Sequence, residues 1–222
     1  MKIVAISDCH GHLPVLPKCD LILNAGDICP DFSRGNHAMA QWQWMARHYR
    51  EYLEYLPPMF ATWGNHDFIG ERSEFANTLN LPWTLLQDRM VEYRGLRIYG
   101  SPWSKRFYDW AFMRNEEQLD RIYSGIPEGL DILIVHGPPY GCADTNSRGE
   151  SCGSEALFNH ILRSQPRLVV CGHIHESAKK ESYIGVSRIV NVCSLTPMPH
   201  GRYLDDPPYV EFEMNPIDMD AK

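Results

Sequence analysis

The chain has 222 residues, 44% of them hydrophobic, which suits one compact domain with a sizeable core and needs no linker. Its formal charge of -7 excludes a surface built to hold long nucleic acid by counterion release, while a small anionic substrate held through metal ions remains compatible with it. No stretch approaches the length of a membrane span, the N-terminal apolar run meets Asp8 too early for a signal-peptide core, and seven cysteines without a Cys-x-x-Cys pair indicate neither a disulfide framework nor a zinc knuckle, so the expected setting is a reducing cytoplasm.

Residues 2–7 read as a buried strand that empties into Asp8-Cys9-His10-Gly11-His12. If the backbone stays extended there, Asp8 and His10 point to one side and Cys9 to the other, so a carboxylate and an imidazole can share one ion; His12 is a bystander. Residues 20–27 repeat the plan, an apolar strand followed by Gly26 and Asp27. Two strands delivering carboxylates to one region repel unless a cation lies between them. Residues 30–35 are turn-rich, and from Asn36 to about Leu56 the positions Met39, Trp42, Met45, Ala46, Tyr49 and Leu53 follow helical spacing until Pro57-Pro58 ends the helix. Met59-Phe60-Ala61-Thr62-Trp63-Gly64 then delivers Asn65, His66 and Asp67 onto a loop. There the amide can offer a neutral oxygen to a metal, the imidazole can ligate or move protons, and Asp67 can orient His66.

A short helix is expected near residues 71–79, and a hairpin pairs 89–93 with 96–99 around Arg94-Gly95. Residues 101–114 set Trp103, Phe107, Tyr108, Trp110 and Phe112 among Lys105, Arg106 and Arg114. Such a segment fits a grip on base and phosphate, or a packed surface loop or subunit contact, and the structural reading is preferred because aromatics more often supply burial than recognition. After a helix over 115–124, the strand 131–135 ends in His136-Gly137. The long loop 138–153 carries Tyr140, Asp144, Asn146 and Arg148, of which Arg148 is the candidate substrate contact. A helix over 154–163 and a strand over 167–171 lead to Gly172-His173-Ile174-His175, with two imidazoles on one side. Strands over 188–192 and 209–213 and a polar tail complete the chain.

Any one of these turns is ordinary loop chemistry. Together the strand ends collect Asp8 and His10, Asp27, Asn65 and His66, His136, His173 and His175, which include half of the ten histidines. Burying that many polar groups without partners would cost about 1–3 kcal/mol each. Metal ions explain the whole set. Mixed nitrogen and oxygen ligands without thiolate suit manganese, iron or zinc better than magnesium or calcium.

The ordered pattern Asp-x-His, Gly-Asp, Gly-Asn-His-Asp, His-Gly and Gly-His-x-His, spanning residues 8 to 175, resembles the calcineurin-like metallophosphoesterase superfamily. The segments Tyr99-Gly100-Ser101-Pro102-Trp103, Ile126-Pro127-Glu128-Gly129-Leu130-Asp131 and His136-Gly137-Pro138-Pro139 are further similar to small metallophosphoesterase-domain proteins, near the class III cyclic nucleotide phosphodiesterases. The resemblance implies an α/β fold, a four-layer sandwich of two mixed β-sheets flanked by α-helices with the metal site on loops at strand ends. It implies two divalent metal ions, one on Asp8, His10 and His175, the other on Asn65, His136 and His173, with Asp27 bridging. It also implies attack on phosphorus by a metal-bound hydroxide, with His66 as general acid oriented by Asp67.

One departure narrows the substrate. Phosphoprotein phosphatases of the superfamily continue Gly-Asp-x-x-Asp-Arg-Gly, whereas this chain reads Gly26-Asp27-Ile28-Cys29-Pro30-Asp31-Phe32 and lacks that phosphate-gripping Arg. The expected activity is hydrolysis of small phosphodiesters, cyclic nucleotides or other nucleotides among them. The alternatives are a phosphomonoesterase or protein-phosphatase-like activity, and a non-catalytic metal-binding scaffold with the same fold. The expected partner is a small phosphate ester, with no membrane and no stable nucleic-acid complex; a homo-oligomer stays open.

Overall fold

The computed structural model describes residues 1–32, 37–198 and 201–216; the turn expected through 33–35, the helix start at Asn36 and the polar tail over 217–222 lie outside them. Four strands, β1 (Lys2–Ile6), β2 (Leu21–Asn24), β3 (Met59–Ala61) and β4 (Thr84–Leu85), run parallel in that order. The expected hairpin is present as β5 (Arg89–Tyr93) and β6 (Leu96–Ser101), turning on Arg94 and Gly95, both with positive φ as a tight two-residue turn requires. A two-residue ladder, β7 (Ser104–Lys105) with β8 (Met113–Arg114), pins the aromatic segment. Strands β9 (Ile132–Val135), β10 (Leu168–Cys171), β11 (Glu181–Ile184) and β12 (Ser187–Asn191) join β5 and β6 in a second sheet ordered β11-β12-β10-β9-β6-β5. Its four inner strands are parallel and its two edges antiparallel. After the ladder β13 (Leu195–Met198) with β14 (Gly201–Leu204), β15 (Val210–Glu213) returns antiparallel along β1.

The apolar strands have no wet face because each is covered on both sides. Period-two alternation sends Ile3, Ala5, Leu21 and Leu23 toward Ile132, Ile134, Leu168 and Val170 between the sheets. The intervening Ile6, Ile22 and Met59 face Met45, Tyr49 and Leu53. On the far side Leu133, Val135, Val169 and Cys171 meet Leu119, Tyr123, Leu157 and Ile161. The result is helix, sheet, sheet, helix. The first helical layer comprises α1 (His37–Trp44), a π-helical turn (Met45–Tyr49) and α2 (Arg50–Leu53), in continuous sequence. It stops short of the Leu56 expected from spacing. In place of the expected 71–79 helix stand a 3₁₀ turn (Phe68–Glu71) and α3 (Ser73–Ala76). The second layer is α4 (Glu116–Tyr123), closed by an Asn115–Gln118 capping box, and α5 (Glu155–Ser164), capped by Ser154.

This architecture fixes where a site can form. Ser7, just past β1, bridges Cys193, just past β12, in parallel, so the two sheets meet at their carboxyl ends. In open α/β sheets, loops at those ends are where ligands bind.

Candidate metal centre

The turns out of the strands are not extended. Asp8 and His10 are left-handed (φ 53° and 43°), as are Asp27 (52°) and His173 (71°), a conformation that costs an ordinary residue about 1–2 kcal/mol. Neighbouring backbone holds them there: Asp8 N–H donates to the Gly26 carbonyl at 2.9 Å and His10 N–H to the Asp27 carbonyl at 3.0 Å. The expectation that an extended chain aims Asp8 and His10 to one side is therefore corrected. Kinks bring them together instead. Two glycines make room for the carboxylates, since a Cβ on Gly64 would run into Asp27 Oδ1 and one on Gly172 into Asp8 Oδ2.

The predicted ligands converge from both sheets. One ligand atom each from Asp8, His10 and His175 lie within 4.8 Å of one another, and so do those of Asp8, Asp27 and His136. His175 Nε2 stands 3.3 Å from Asp8 Oδ1, and His136 Nε2 and His10 Nε2 stand 3.4 and 3.7 Å from Asp27 Oδ2. Asn65 Oδ1 is 2.7 Å from His136 Nε2, and the His173 ring centroid is 5.1 Å from that of His136. Ligands sharing one ion at about 2.1 Å stand roughly 3.0–3.4 Å from each other, which the His175–Asp8 and His136–Asp27 spacings match. Two buried side-chain nitrogens, Asn65 Nδ2 and His175 Nδ1, have no hydrogen-bond partner. The donor set of carboxylates, an amide oxygen and imidazoles gathered here fits divalent cations.

Second contacts fix the orientation of these groups. Asp8 receives the His173 N–H at 3.0 and 3.1 Å and the Cys193 thiol at 3.0 Å. Asp27 Oδ1 receives the His66 N–H at 2.7 Å. His136 Nδ1 lies 2.9 Å from the Ala25 carbonyl, which only an N–H can satisfy, leaving Nε2 for the centre. The charges respond accordingly. Burial alone would raise Asp27, but the charge and hydrogen bond of His136, with His66 and His10 behind, hold it far below the usual carboxylate range. Asp8 is likewise held low against burial, chiefly by its hydrogen bond and charge interaction with His175. Burial would lower His136, but Asp27 and Asp8 push it up to about 9. Burial and the His136 charge pull His173 down to about 3, so it is neutral at physiological pH.

His66 lines one cleft with Asp27, Asn65, His173 and His175. Its partner corrects a sequence expectation. Asp67 does not orient His66: its buried carboxylate accepts the backbone N–H groups of Gly64, Ile28 and Cys29 at 2.8–3.2 Å, tying the Asn65–His66 loop to the Asp27 loop. Asp31 takes the expected role, with Oδ1 2.7 Å from His66 Nδ1 and 3.4 Å from His10 Nδ1. Two further residues escaped sequence reasoning. Gln41, buried in α1, donates to the His66 carbonyl at 2.6 Å and accepts from Ile69 N–H at 3.0 Å. Asn191, at the end of β12, donates to the carbonyls of Ala143, Gly172 and Ile174 and so shapes the His173 loop. Gln41 sits on the helix face of Ala38 and Met45, where a polar residue among apolar ones is the signal that could have found it.

Arg148 is on the rim, in a cavity that reaches His173, with its Nε 2.9 Å from Glu150. The aromatic segment divides. Trp103, bonded to Asp88 and covered by the Arg114 guanidinium, and the buried Phe112 are structural. Trp110, by contrast, packs on His66 at 4.6 Å and Phe107 on His173 at 5.5 Å.

Two mixed sheets with a histidine- and aspartate-rich centre at their carboxyl ends define a class, and the chain belongs to it: the calcineurin-like phosphoesterase family model matches residues 1–177. The chain is 33% identical over 204 residues to Metallophosphoesterase domain-containing protein 1 of Homo sapiens and of Mus musculus, an alignment covering 79% of this chain and 60% of each relative. It therefore spans about 60% of the length of those relatives. Among solved structures, Phosphopantetheinyl Hydrolase (PptH) from Mycobacterium tuberculosis shares the fold with TM-score 0.55 at 12% identity, covering 94% of this chain and 98% of that one. GAP50, the anchor in the inner membrane complex of Plasmodium, does so with TM-score 0.53 at 14% identity, covering 87% and 71%. No helix among the described residues is long and apolar enough to cross a membrane.

Proposed function

We propose that the chain is a phosphoesterase that uses two divalent cations, manganese, iron or zinc by the donor set, to hydrolyse small phosphodiesters in a reducing cytoplasm. The observation that carries this reading is His66, paired with Asp31 at 2.7 Å and lining one cleft with Asp27, Asn65, His173 and His175. A proton donor with its own carboxylate beside a cation-binding cluster is the equipment of ester hydrolysis and has no use in a purely structural site.

Cations held by Asp8, His10 and His175 and by Asn65, His136 and His173, with Asp27 shared, would supply Lewis acidity and an acidified water. The chain's own groups do the remainder. The His66 N–H locks the Asp27 carboxylate, and the Ala25 carbonyl fixes the tautomer of His136. Asp31 faces His66 Nδ1 and so favours the imidazolium, the form whose other nitrogen carries the proton for the departing alkoxide. Diesters are favoured over phosphoproteins because Pro30-Asp31-Phe32 follows Asp27 where an Arg would grip a dianionic phosphate.

Metal analysis combined with turnover of bis-(4-nitrophenyl) phosphate tests the reading. Wild type should hold two metals and turn over, and Asp27→Ala should lose metal and activity together. Full activity and two bound metals in Asp27→Ala would refute it. A second reading, a non-catalytic scaffold, is kept in view by GAP50, an anchor built on this fold. Two bound metals with no turnover of cyclic nucleotides, dinucleotides, monoesters or nitrophenyl esters would favour it.

A further inference from the structure

Two cavities flank the candidate centre, and they differ in charge. One, of about 440 Å³, is lined by Lys105, Arg106 and Arg148, with Phe107 and Tyr108, and reaches His173; among its described lining residues Glu150 is the one acid. The other, of about 410 Å³, reaches His66 and holds Asp31 and Asp109 with Phe32, Phe68 and Trp110, and no Lys or Arg among its described lining residues. A ridge of Phe107 and Trp110, 5.2 Å apart, separates them and also lines the central cleft. Arg106 meets Asp109 at 2.8 Å, so cation and anion stand side by side at the boundary of the two fields. Phe107 and Tyr108 are 54% and 62% exposed, unusual for large aromatics beside a cleft that needs no further packing.

We propose that the two cavities set the direction of cleavage on an unsymmetrical diester. This rests on the phosphoesterase reading above. The half that keeps the phosphate carries a ring and additional negative charge and lies among Lys105, Arg106, Arg148 and the Phe107–Tyr108 pair. The departing alcohol is uncharged or cationic and lies on the Asp31–Asp109 side, where His66 stands. The oxygen of a water bonds to phosphorus and gives its surplus proton to solvent, the bond from phosphorus to the departing alcohol oxygen breaks, the His66 proton goes to that oxygen, and His66 regains a proton from solvent. The phosphate stays as a monoester on the anionic half. Asp31 is paired with His66 and Asp109 with Arg106, so the preference comes from attraction of the anionic half to the Lys105, Arg106 and Arg148 side.

Benzyl 4-carboxybenzyl phosphate tests this, because its two alcohols leave almost equally well and only the enzyme can choose between them. With the manganese-loaded protein, ³¹P NMR and mass spectrometry should show 4-carboxybenzyl phosphate exceeding benzyl phosphate by about tenfold or more, one factor of ten per 1.4 kcal/mol of discrimination. Arg106→Gln/Arg148→Gln, altered at exposed positions, should bring that ratio several-fold closer to one. A wild-type ratio near one, a reversed ratio, or a ratio unmoved by the double variant overturns the proposal. Turnover of bis-(4-nitrophenyl) phosphate with no cleavage of the benzyl probe also overturns it, leaving the phosphoesterase reading intact. If the metal-loaded protein cleaves neither compound, both fall.

Discussion

His66 and its neighbour in sequence have separate jobs, although residue order suggests one. Asp31 pairs with the imidazole, whereas Asp67 is spent on three backbone N–H groups. Asp31→Asn should keep both metals yet lower kcat on alkyl esters by roughly 10-fold or more, with less loss on 4-nitrophenyl esters, because general acid catalysis is worth typically 10²–10⁴-fold and matters most for poor leaving groups. His66→Ala should show the same pattern more strongly; equal losses on both ester classes would mean that the pair positions phosphate instead. Asp67→Ala belongs to stability. Leaving three buried N–H groups without an acceptor costs about 1–3 kcal/mol each, so Tm should fall by roughly 6–12 °C or more in a chain of this size. An unshifted melting curve would remove Asp67 from that role.

Among the elements, what was legible in the sequence was the repeated unit of apolar strand, glycine and ligand. Packing and chemistry both depend there on residue type: alternate side chains of β1, β2, β9 and β10 serve two cores, and Gly64 and Gly172 admit carboxylates where a Cβ would collide. The kinks at Asp8, His10, Asp27 and His173 were not legible, because contacts from distant segments impose left-handed backbone on residues that do not favour it locally. Asp31 lay hidden in a turn that reads as ordinary punctuation, and Asn191 in a strand end that repeats the plan of Asn24. The ladder of β7 with β8 is only two residues long, too short for any periodicity to show. The room left by glycine can be tested directly. Gly64→Ala should lower metal content below two per chain while far-UV circular dichroism stays unchanged, and full occupancy would show that the Asp27 and His136 loops can yield.

For the molecule as a whole, loading the centre is coupled to protons. Asp27 and Asp8 keep His136 charged up to about 9, and a cation must displace that proton. Metal affinity should therefore rise with pH through neutrality and level off near 9, with close to one proton released per chain at pH 7.5, measurable by calorimetry in buffers of different ionisation heat. The sign for the metal-free fold is opposite: the His136–Asp27 attraction is fully present below the ordinary histidine value and is lost as pH rises through about 9. An affinity constant between pH 6 and 9 would contradict the assignment of His136 to the centre.

The placement of ligands on both sheets also gives the centre a history during synthesis. Asp8, Asp27 and Asn65 leave the ribosome with β1, β2 and β3, whereas His136, His173 and His175 follow only with β9 and β10. Until then the early half of the chain carries two carboxylates destined for burial and lacks His136 and His175, their main offsets, a local conflict that disfavours premature closure. The hydrogen bond from His173 to Asp8 spans 165 residues, so the early half cannot assemble the centre alone.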